Sequence, residues 1–155
     1  MINSGIPKGI VFSPDGSCLI MTLAAMNSLA IYTIDWANGC ILSIPRQILS
    51  GTVTRLSRPE DIKLTIDGNY YAVSNSTEDT ITFYEFDKKN NYFVRDEPSY
   101  ILENPEAQLT FPHGLAFSSD GIYLSITQFG NVKFDHDGNL SSWAKEEKEK
   151  ITIYK

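Results

Sequence analysis

Apolar and polar residues alternate along this chain in short stretches that recur. Runs of about four to eight apolar or β-branched residues are separated by turns rich in Gly, Asp, Asn and Pro. Such runs predict β-strands, because successive side chains of a strand point to opposite faces of a sheet. No stretch shows the apolar spacing of a convincing amphipathic helix. The pattern therefore predicts an all-β protein.

One sequence unit is written three times. It begins at a proline, continues through an apolar strand and ends in an Asp-Gly pair. Pro7, Pro59 and Pro112 lie 52 and 53 residues apart, and the Asp-Gly pairs keep the same spacing. Asp-Gly between two apolar runs predicts a hairpin, because Gly accepts the positive φ that the turn needs. The aligned segments are 6–16, 58–68 and 111–121.

Each unit continues with further predicted strands. The second strands are predicted at 18–23, 70–74 and 122–127, the third strands at 29–35 and 81–87, and the fourth strands near 41–49 and 98–102. Four antiparallel strands in a unit of this length are typical of one blade of a β-propeller. We therefore predict about three blades, at about 6–56, 57–108 and 109–155, of which the last is incomplete.

The third unit departs from the other two. Its best third-strand match, Ile151–Tyr154, follows Gly121 by 30 residues, whereas the corresponding distance in the first two units is 13. We interpret 129–150 as an insertion that contains an extra hairpin. The alternative is that 132–135 is itself the third strand.

Three blades do not close the ring of about four to eight blades that propellers form. They would leave two apolar sheet faces exposed, and large exposed apolar patches mark interfaces. We expect either self-association, for instance two chains in one six-bladed ring, or packing against other blades of a longer gene product. The remaining alternative is an open arc of three blades.

Charge and composition limit the classes of partner that the protein is expected to bind. The net charge of −6 argues against nucleic acid and against an anionic membrane surface, because both attract basic proteins. The uncharged stretch 16–34 fits two buried strands joined by a turn better than a membrane span. No secretory signal is visible, which predicts a cytoplasmic protein with Cys18 and Cys40 reduced.

The repeat resembles that of a known family. Its order is Pro-x-Gly, an apolar strand, Ser-Pro-Asp-Gly, a second apolar strand, a polar turn and Ile-x-x-Tyr. This order resembles the YVTN/lactonase-like β-propeller repeats, and it lacks the Gly-His and Trp-Asp signatures of WD repeats. The resemblance covers about 6–154 and implies a propeller whose complete members have about seven blades. It implies little about function, because the family contains both enzymes and binding scaffolds.

The candidate site lies where the first strand of each blade begins. Lys8, Arg58, Glu60, Asp61 and His113 are expected at one mouth of the central channel. The resemblance implies that a substrate at this mouth meets His, Glu and Arg side chains. The Pro-His-Gly element around His113 matches the family residue by residue, whereas Arg58, Glu60 and Asp61 match by repeat position only. The candidate catalytic residues are therefore His113, Arg58 and Glu60, and the candidate binding residues are Lys8 and Asp61.

These residue types permit two interpretations. A neutral His113 suits a general base, and the planar guanidinium of Arg58 suits a carboxylate or phosphate. In the structural alternative, His113 hydrogen-bonds a neighbouring blade and Arg58 pairs with Glu60 or Asp61. We predict a propeller module that binds a protein or small ligand without catalysis. A lactonase-like hydrolase or isomerase is the main alternative, and a partial gene product without independent function is a third.

One segment contains residue types that could form a metal site. Carboxylate and amide residues in 135–139, together with Glu146, follow the spacing of a calcium loop. Leu140 stands where that loop requires Gly, and no helices flank the segment, so a tight turn explains it better. The sequence therefore predicts neither a metal nor a cofactor.

Overall fold

The computed structural model describes residues 5–103, 105, 107–130, 132–134, 140–143 and 150–154. In this part of the chain the helical elements are single 3-10 turns at Ala24–Met26 and Thr52–Thr54. None of the helical segments among the described residues has the length and apolar character needed to cross a membrane. The strands are β1 (Pro7–Phe12), β2 (Cys18–Leu23), β3 (Ser28–Asp35), β4 (Cys40–Ile41), β5 (Gln47–Leu49), β6 (Pro59–Leu64), β7 (Tyr70–Asn75), β8 (Thr80–Asp87), β9 (Tyr92–Phe93), β10 (Tyr100–Leu102), β11 (Pro112–Phe117), β12 (Leu124–Gln128), β13 (Val132–Phe134), β14 (Leu140–Trp143) and β15 (Lys150–Tyr154).

The strands form three successive antiparallel sheets. The first sheet has the order β1-β2-β3, with β4 and β5 both paired to β3. The second repeats this arrangement as β6-β7-β8, with β9 and β10 paired to β8. The third has the order β11-β12-β15, and β13 pairs with β14 as a separate hairpin. The predicted all-β fold of about three propeller blades, the last of them incomplete, is thus confirmed.

The Asp-Gly turns have the backbone conformation that the sequence predicts. Gly16, Gly68 and Gly121 have φ values of 72°, 72° and 73°. In the first turn, the N–H of Gly16 donates to the carbonyl of Ser13 at 2.9 Å. A side chain at these glycine positions would be strained, which explains why Gly recurs there.

The fourth strand differs from the prediction of one strand near 41–49. It consists of two pieces that pair with opposite ends of β3: Ile41 lies opposite Ile34, and Leu49 lies opposite Leu29. Pro45 stands between them and has no N–H to donate to a sheet. The second blade is divided in the same way into β9 and β10.

The third blade has the long connection expected of an insertion. β15 pairs with β12, so the distant segment 150–154 provides the third strand rather than 132–135. The interpretation of 132–135 as the third strand is therefore wrong. The second strand begins at Leu124 rather than at the predicted 122, because the N–H of Ile122 donates to Asp120 Oδ1 within the turn.

Two apolar cores lie between the three blades. The core between blades 1 and 2 contains Cys18, Ile20, Leu29, Ile31, Leu49, Leu56, Ile62, Tyr71, Val73, Tyr84, Phe86 and Phe93. The core between blades 2 and 3 contains Ala72, Ile81, Ala107, Leu109, Leu115, Leu124 and Ile126. Each blade therefore buries its apolar face against the next blade, as propeller packing requires.

Candidate functional site

A β-bulge recurs at the start of the first strand of every blade. The strand register shifts between Pro7 and Ile10, and the same shift follows Pro59 and Pro112. Each bulged N–H donates to a hydroxyl oxygen on the second strand of its own blade. The pairs are Gly9 with Thr22 at 2.8 Å, Asp61 with Ser74 at 3.0 Å and Gly114 with Thr127 at 2.8 Å.

Two of these hydroxyls also reach the next blade. The Thr22 hydroxyl donates to the carbonyl of Glu60 at 3.4 Å, and the Ser74 hydroxyl donates to the carbonyl of His113. One side chain therefore holds the bulge of its own blade and the bulge of the following blade. This places the residues that follow the three prolines side by side at one end of the blades.

The chain enters these bulges through residues with a left-handed backbone. Arg58 and Phe111 both have φ of 51°, which is uncommon for residues other than Gly. A side-chain oxygen of the preceding blade accepts each of their N–H groups: Asn27 Oδ1 at 2.7 Å for Arg58, and Asp79 Oδ1 at 2.6 Å for Phe111. Contacts between blades thus fix the direction in which the chain enters the site.

Glu60 is the centre of the candidate site. Its side chain is 1% exposed, and cationic or polar groups surround its carboxylate. Arg58 Nε donates to Oε1 at 3.1 Å, and the Ser76 hydroxyl donates to the same oxygen at 3.3 Å. Lys8 Nζ lies 3.3 Å from Oε2, and His113 Nε2 lies 3.5 Å from it. Three blades therefore contribute to one cluster around a buried carboxylate.

The two oxygens of Glu60 differ in their contacts. Oε1 accepts two hydrogen bonds, whereas Oε2 accepts none of good geometry within the described part of the chain. Lys8 and His113 face Oε2 at ion-pair distance, but neither is aligned as a hydrogen-bond donor. Buried carboxylate oxygens are normally hydrogen-bonded, so Oε2 lacks a partner that such an oxygen usually has.

The surroundings of His113 favour its neutral form by lowering its pKa. The largest effect is burial, which lowers the pKa. The nearby cations Lys8 and Arg58 lower the pKa further, while the Glu60 and Asp61 carboxylates oppose them. At neutral pH the ring therefore has one nitrogen that can accept a proton.

Aromatic rings form one wall of the site. The Phe111 ring stacks near His113 with centroids 5.8 Å apart, and the Phe129 ring meets His113 edge-on at 4.5 Å. The Arg58 guanidinium carbon lies 5.9 Å from the centroid of the Phe111 ring. The cluster thus combines a buried carboxylate, cations and aromatic rings.

The structure brings four of the five predicted site residues together. Lys8, Arg58 and His113 all surround Glu60, and the pairing of Arg58 with Glu60 is the one that the structural alternative expects. The Asp61 carboxylate is close enough to act on His113 electrostatically, but its hydrogen bonds go to other residues. It accepts from Lys63 Nζ at 2.7 Å and from the N–H of Leu115 at 2.9 Å, so it links blades 2 and 3.

Sequence reasoning missed three residues of the site: Ser76, Phe111 and Phe129. Phe111 occupies the repeat position of Arg58, so the alignment of the units contained a signal for it. Ser76 and Phe129 each follow the second strand of a blade, where no residue type marks a site. Their contribution depends on how neighbouring blades meet.

Metal binding receives no support from the described residues, in which no group of three or more His, Cys, Asp or Glu side chains is placed to hold an ion. The segment 135–139 and Glu146, considered above for calcium, lies outside the described residues.

Solved structures share this arrangement of blades. A provisionally assigned 6-phosphogluconolactonase from Bacteroides fragilis superposes with a TM-score of 0.66 at 18% identity, over 98% of this chain and 43% of that protein. The periplasmic gluconolactonase of Pseudomonas aeruginosa gives 0.64 at 15% identity, over 97% of this chain and 43% of its own. A β-propeller domain from Myceliophteria thermophila gives 0.53 at 18% identity, over 92% and 44%.

These similarities establish the class of the protein as a β-propeller. At such identities they show the fold alone, and the chain spans less than half the length of the solved structures that it matches. The sequence matches no protein-family profile and no curated protein. The structural neighbours include lactonase-like propellers, and membership of the YVTN repeat family stays a prediction.

Proposed function

We propose that this chain is a ligand-binding propeller module whose site is the Glu60 cluster, formed by Lys8, Arg58, Glu60, Ser76 and His113. The observation that carries the proposal is the buried Glu60 Oε2, which accepts no well-formed hydrogen bond among the described residues although two donor-bearing side chains face it. A ligand hydroxyl that donates to Oε2 would satisfy this acceptor.

The surrounding charges indicate the class of ligand. The side chains of Lys8 and Arg58 are 36% and 41% exposed, so both cations also reach the solvent side of the cluster. A carboxylate or phosphate accepts hydrogen bonds from such groups, and an Arg fork binds either anion in a bidentate manner. A small hydroxylated anion of the sugar-acid class therefore fits the cluster. The names of two structural neighbours, which refer to gluconolactone chemistry, agree with this class.

Calorimetric titration with gluconate and with 6-phosphogluconate tests this proposal. Glu60→Gln retains the size of the side chain and removes its charge, and Lys8→Met removes one cation. We expect each substitution to weaken binding by about 10- to 100-fold, which corresponds to the loss of one charge-assisted hydrogen bond.

Arg95→Gln provides the matched control. Arg95 pairs with Glu85 at 2.8 Å, away from the Glu60 cluster, and its substitution removes one positive charge without touching the site. Binding by this variant should equal that of the wild type. Equal affinity of Glu60→Gln, Lys8→Met and the wild type would refute the site, as would the absence of heat with both ligands.

Lactonase-like hydrolysis is the second candidate function, and the neutral state of His113 favours it. His113 Nε2 lies 3.5 Å from Glu60 Oε2, so the carboxylate is placed to stabilise the ring if it takes a proton from water. We expect His113→Gln to abolish hydrolysis of gluconolactone in a folded protein, with a rate that falls as the histidine becomes protonated at acid pH. Unchanged hydrolysis in that variant would leave the module as a binder only.

A further inference from the structure

The outer face of blade 1, which points away from blade 2, is apolar and only partly open: Ala30 and Tyr32 on this face are buried, whereas other apolar residues on it are exposed. Ile10, Phe12, Trp36 and Ile41 are 55%, 53%, 67% and 47% exposed. They line a groove of about 560 Å³ in which every side chain is uncharged. Contiguous exposed apolar side chains of this kind are a feature from which a protein–protein interface can be built.

The repeat shows what such a face packs against. In blade 2 the residues equivalent to Ile10 and Phe12 are Ile62 and Leu64, and they pack in the core against blade 1. Ile62 is fully buried, as is its blade 3 equivalent Leu115 at 4% exposure. The same position is therefore buried at both junctions within the chain and open on the outer face of blade 1.

Blade 3 has an outer face of the complementary kind. In blade 1 the face that packs on blade 2 contains Ile20 and Ile31, which lie opposite each other on neighbouring strands. Their blade 3 equivalents are Ser125 and Ile153, which are also paired. Ile153 is 63% exposed.

The two outer faces are complementary in side-chain size as well. The core between blades 1 and 2 contains large rings such as Tyr71 together with the smaller Ile20 and Cys18. The outer face of blade 1 offers the large Phe12 and Trp36, and the outer face of blade 3 offers the small Ser125 beside Ile153. The combination of large and small residues found within the chain is thus available between its two ends.

We propose that a second copy of this chain covers both faces, with blade 1 of each copy packed on blade 3 of the other. Two such junctions are related by a two-fold axis and close a ring of six blades. The occupant is a second copy because this chain carries both halves of the junction, and the new contact continues the packing that already joins its blades.

Sedimentation equilibrium over a range of protein concentrations tests the proposal. The wild type should show twice the chain mass of 17.4 kDa. Phe12→Asp places a charge on one face and Ile153→Asp places one on the other. Because each junction uses one residue of each kind, either substitution alone should reduce the mass to that of a single chain, while circular dichroism remains that of the folded wild type.

Mixing the two variants sharpens the test. In a ring of one Phe12→Asp copy and one Ile153→Asp copy, one junction contains both charges and the other contains neither. The mixture should therefore recover part of the paired species that each variant lacks alone. Val53→Asp is the matched control, because Val53 is 51% exposed in the turn between blades 1 and 2 and belongs to neither face. It should retain the mass of the wild type.

Three results would overturn the proposal. A wild-type monomer at every concentration would exclude a second copy as the occupant. A paired Ile153→Asp variant would show that blade 1 packs on blade 1 instead. An open-ended series of masses would exclude a closed ring.

Discussion

The two junctions between blades occupy equivalent positions and are packed differently. Between blades 1 and 2, Tyr71, Tyr84, Phe86 and Phe93 form an edge-to-face cluster with centroid distances from 4.8 to 5.8 Å. Between blades 2 and 3, the buried residues on the same side of the next blade are aliphatic, and Phe117 is only partly buried beside them. The buried residues include Leu115, Leu124 and Ile126.

The two junctions also differ in their polar contacts. At the first junction the Gln47 side chain donates to the carbonyl of Phe93 and accepts from its N–H, and the Asn91 amide donates to Asp15 at 2.8 Å. At the second junction Asp61 accepts from the N–H of Leu115. The repeat therefore sets the position of each side chain in its blade. The size of the side chain at that position and its hydrogen bonds differ between the two junctions.

Removal of a ring from the aromatic junction should have the largest effect. Phe93 is 2% exposed and contacts three other rings, so Phe93→Ala leaves a cavity that its neighbours cannot fill. We expect a loss of about 3–5 kcal/mol in the free energy of unfolding, measured by urea denaturation. Leu115→Ala at the aliphatic junction should cost about 2–3 kcal/mol. Equal losses would contradict the comparison.

Blades 1 and 2 approach each other closely at the mouth, and a substitution there should have an effect of intermediate size on stability. A Cβ on Gly9 would lie 2.7 Å from the Cα of Asp61, so blade 2 must move to admit it. Gly9→Ala should cost about 1–3 kcal/mol in urea denaturation. In the control Gly114→Ala, the Cβ meets only the Thr127 hydroxyl, at 2.9 Å, so no backbone atom has to move, although rotation of Thr127 gives up its hydrogen bond to the N–H of residue 114. A larger loss in the control would show that the first junction is not the tighter one.

The turns that carry Asp15 and Asp120 give the smallest expected effect. Hydrogen bonds from the N–H of Ser17, the Ser13 hydroxyl and the Asn91 amide lower the pKa of Asp15. Asp120 has a lowered pKa from the Ser118 hydroxyl and the N–H of its own turn.

A carboxyl whose folded pKa is lowered stabilises the fold above its unfolded pKa, and this stability is lost as the pH falls towards the folded value. We therefore expect Asp15→Asn to lower the melting temperature at pH 7 and to reduce its decline in acid. The hydrogen-bond partners of Asp120 all lie in its own turn. Asp120→Asn should therefore change the melting temperature at pH 7 and its decline in acid less than Asp15→Asn does. Thermal melts between about pH 2 and 7 measure this. If the melting temperatures of the two variants change identically with pH, the hydrogen bond from Asn91 does not contribute to the effect.

Much of the fold follows from local sequence. Strand alternation and three Asp-Gly turns are enough to predict the blades, because a hairpin with a positive-φ Gly is decided within about ten residues. The division of the fourth strand was missed, although Pro45 is visible, because only the edge of β3 shows where the two pieces pair.

The candidate site depends both on the local sequence and on the packing of the blades. The sequence by itself determined that Lys8, Glu60 and His113 hold equivalent places after the three prolines. Only the tertiary structure decided that the Glu60 carboxylate is buried among them, that Asp61 turns away to blade 3, and that Phe111 and Phe129 form a wall. The physical reason is that hairpins and bulges are short-range, whereas the surroundings of a charge at the mouth come from residues about 50 positions apart that meet only when the blades pack.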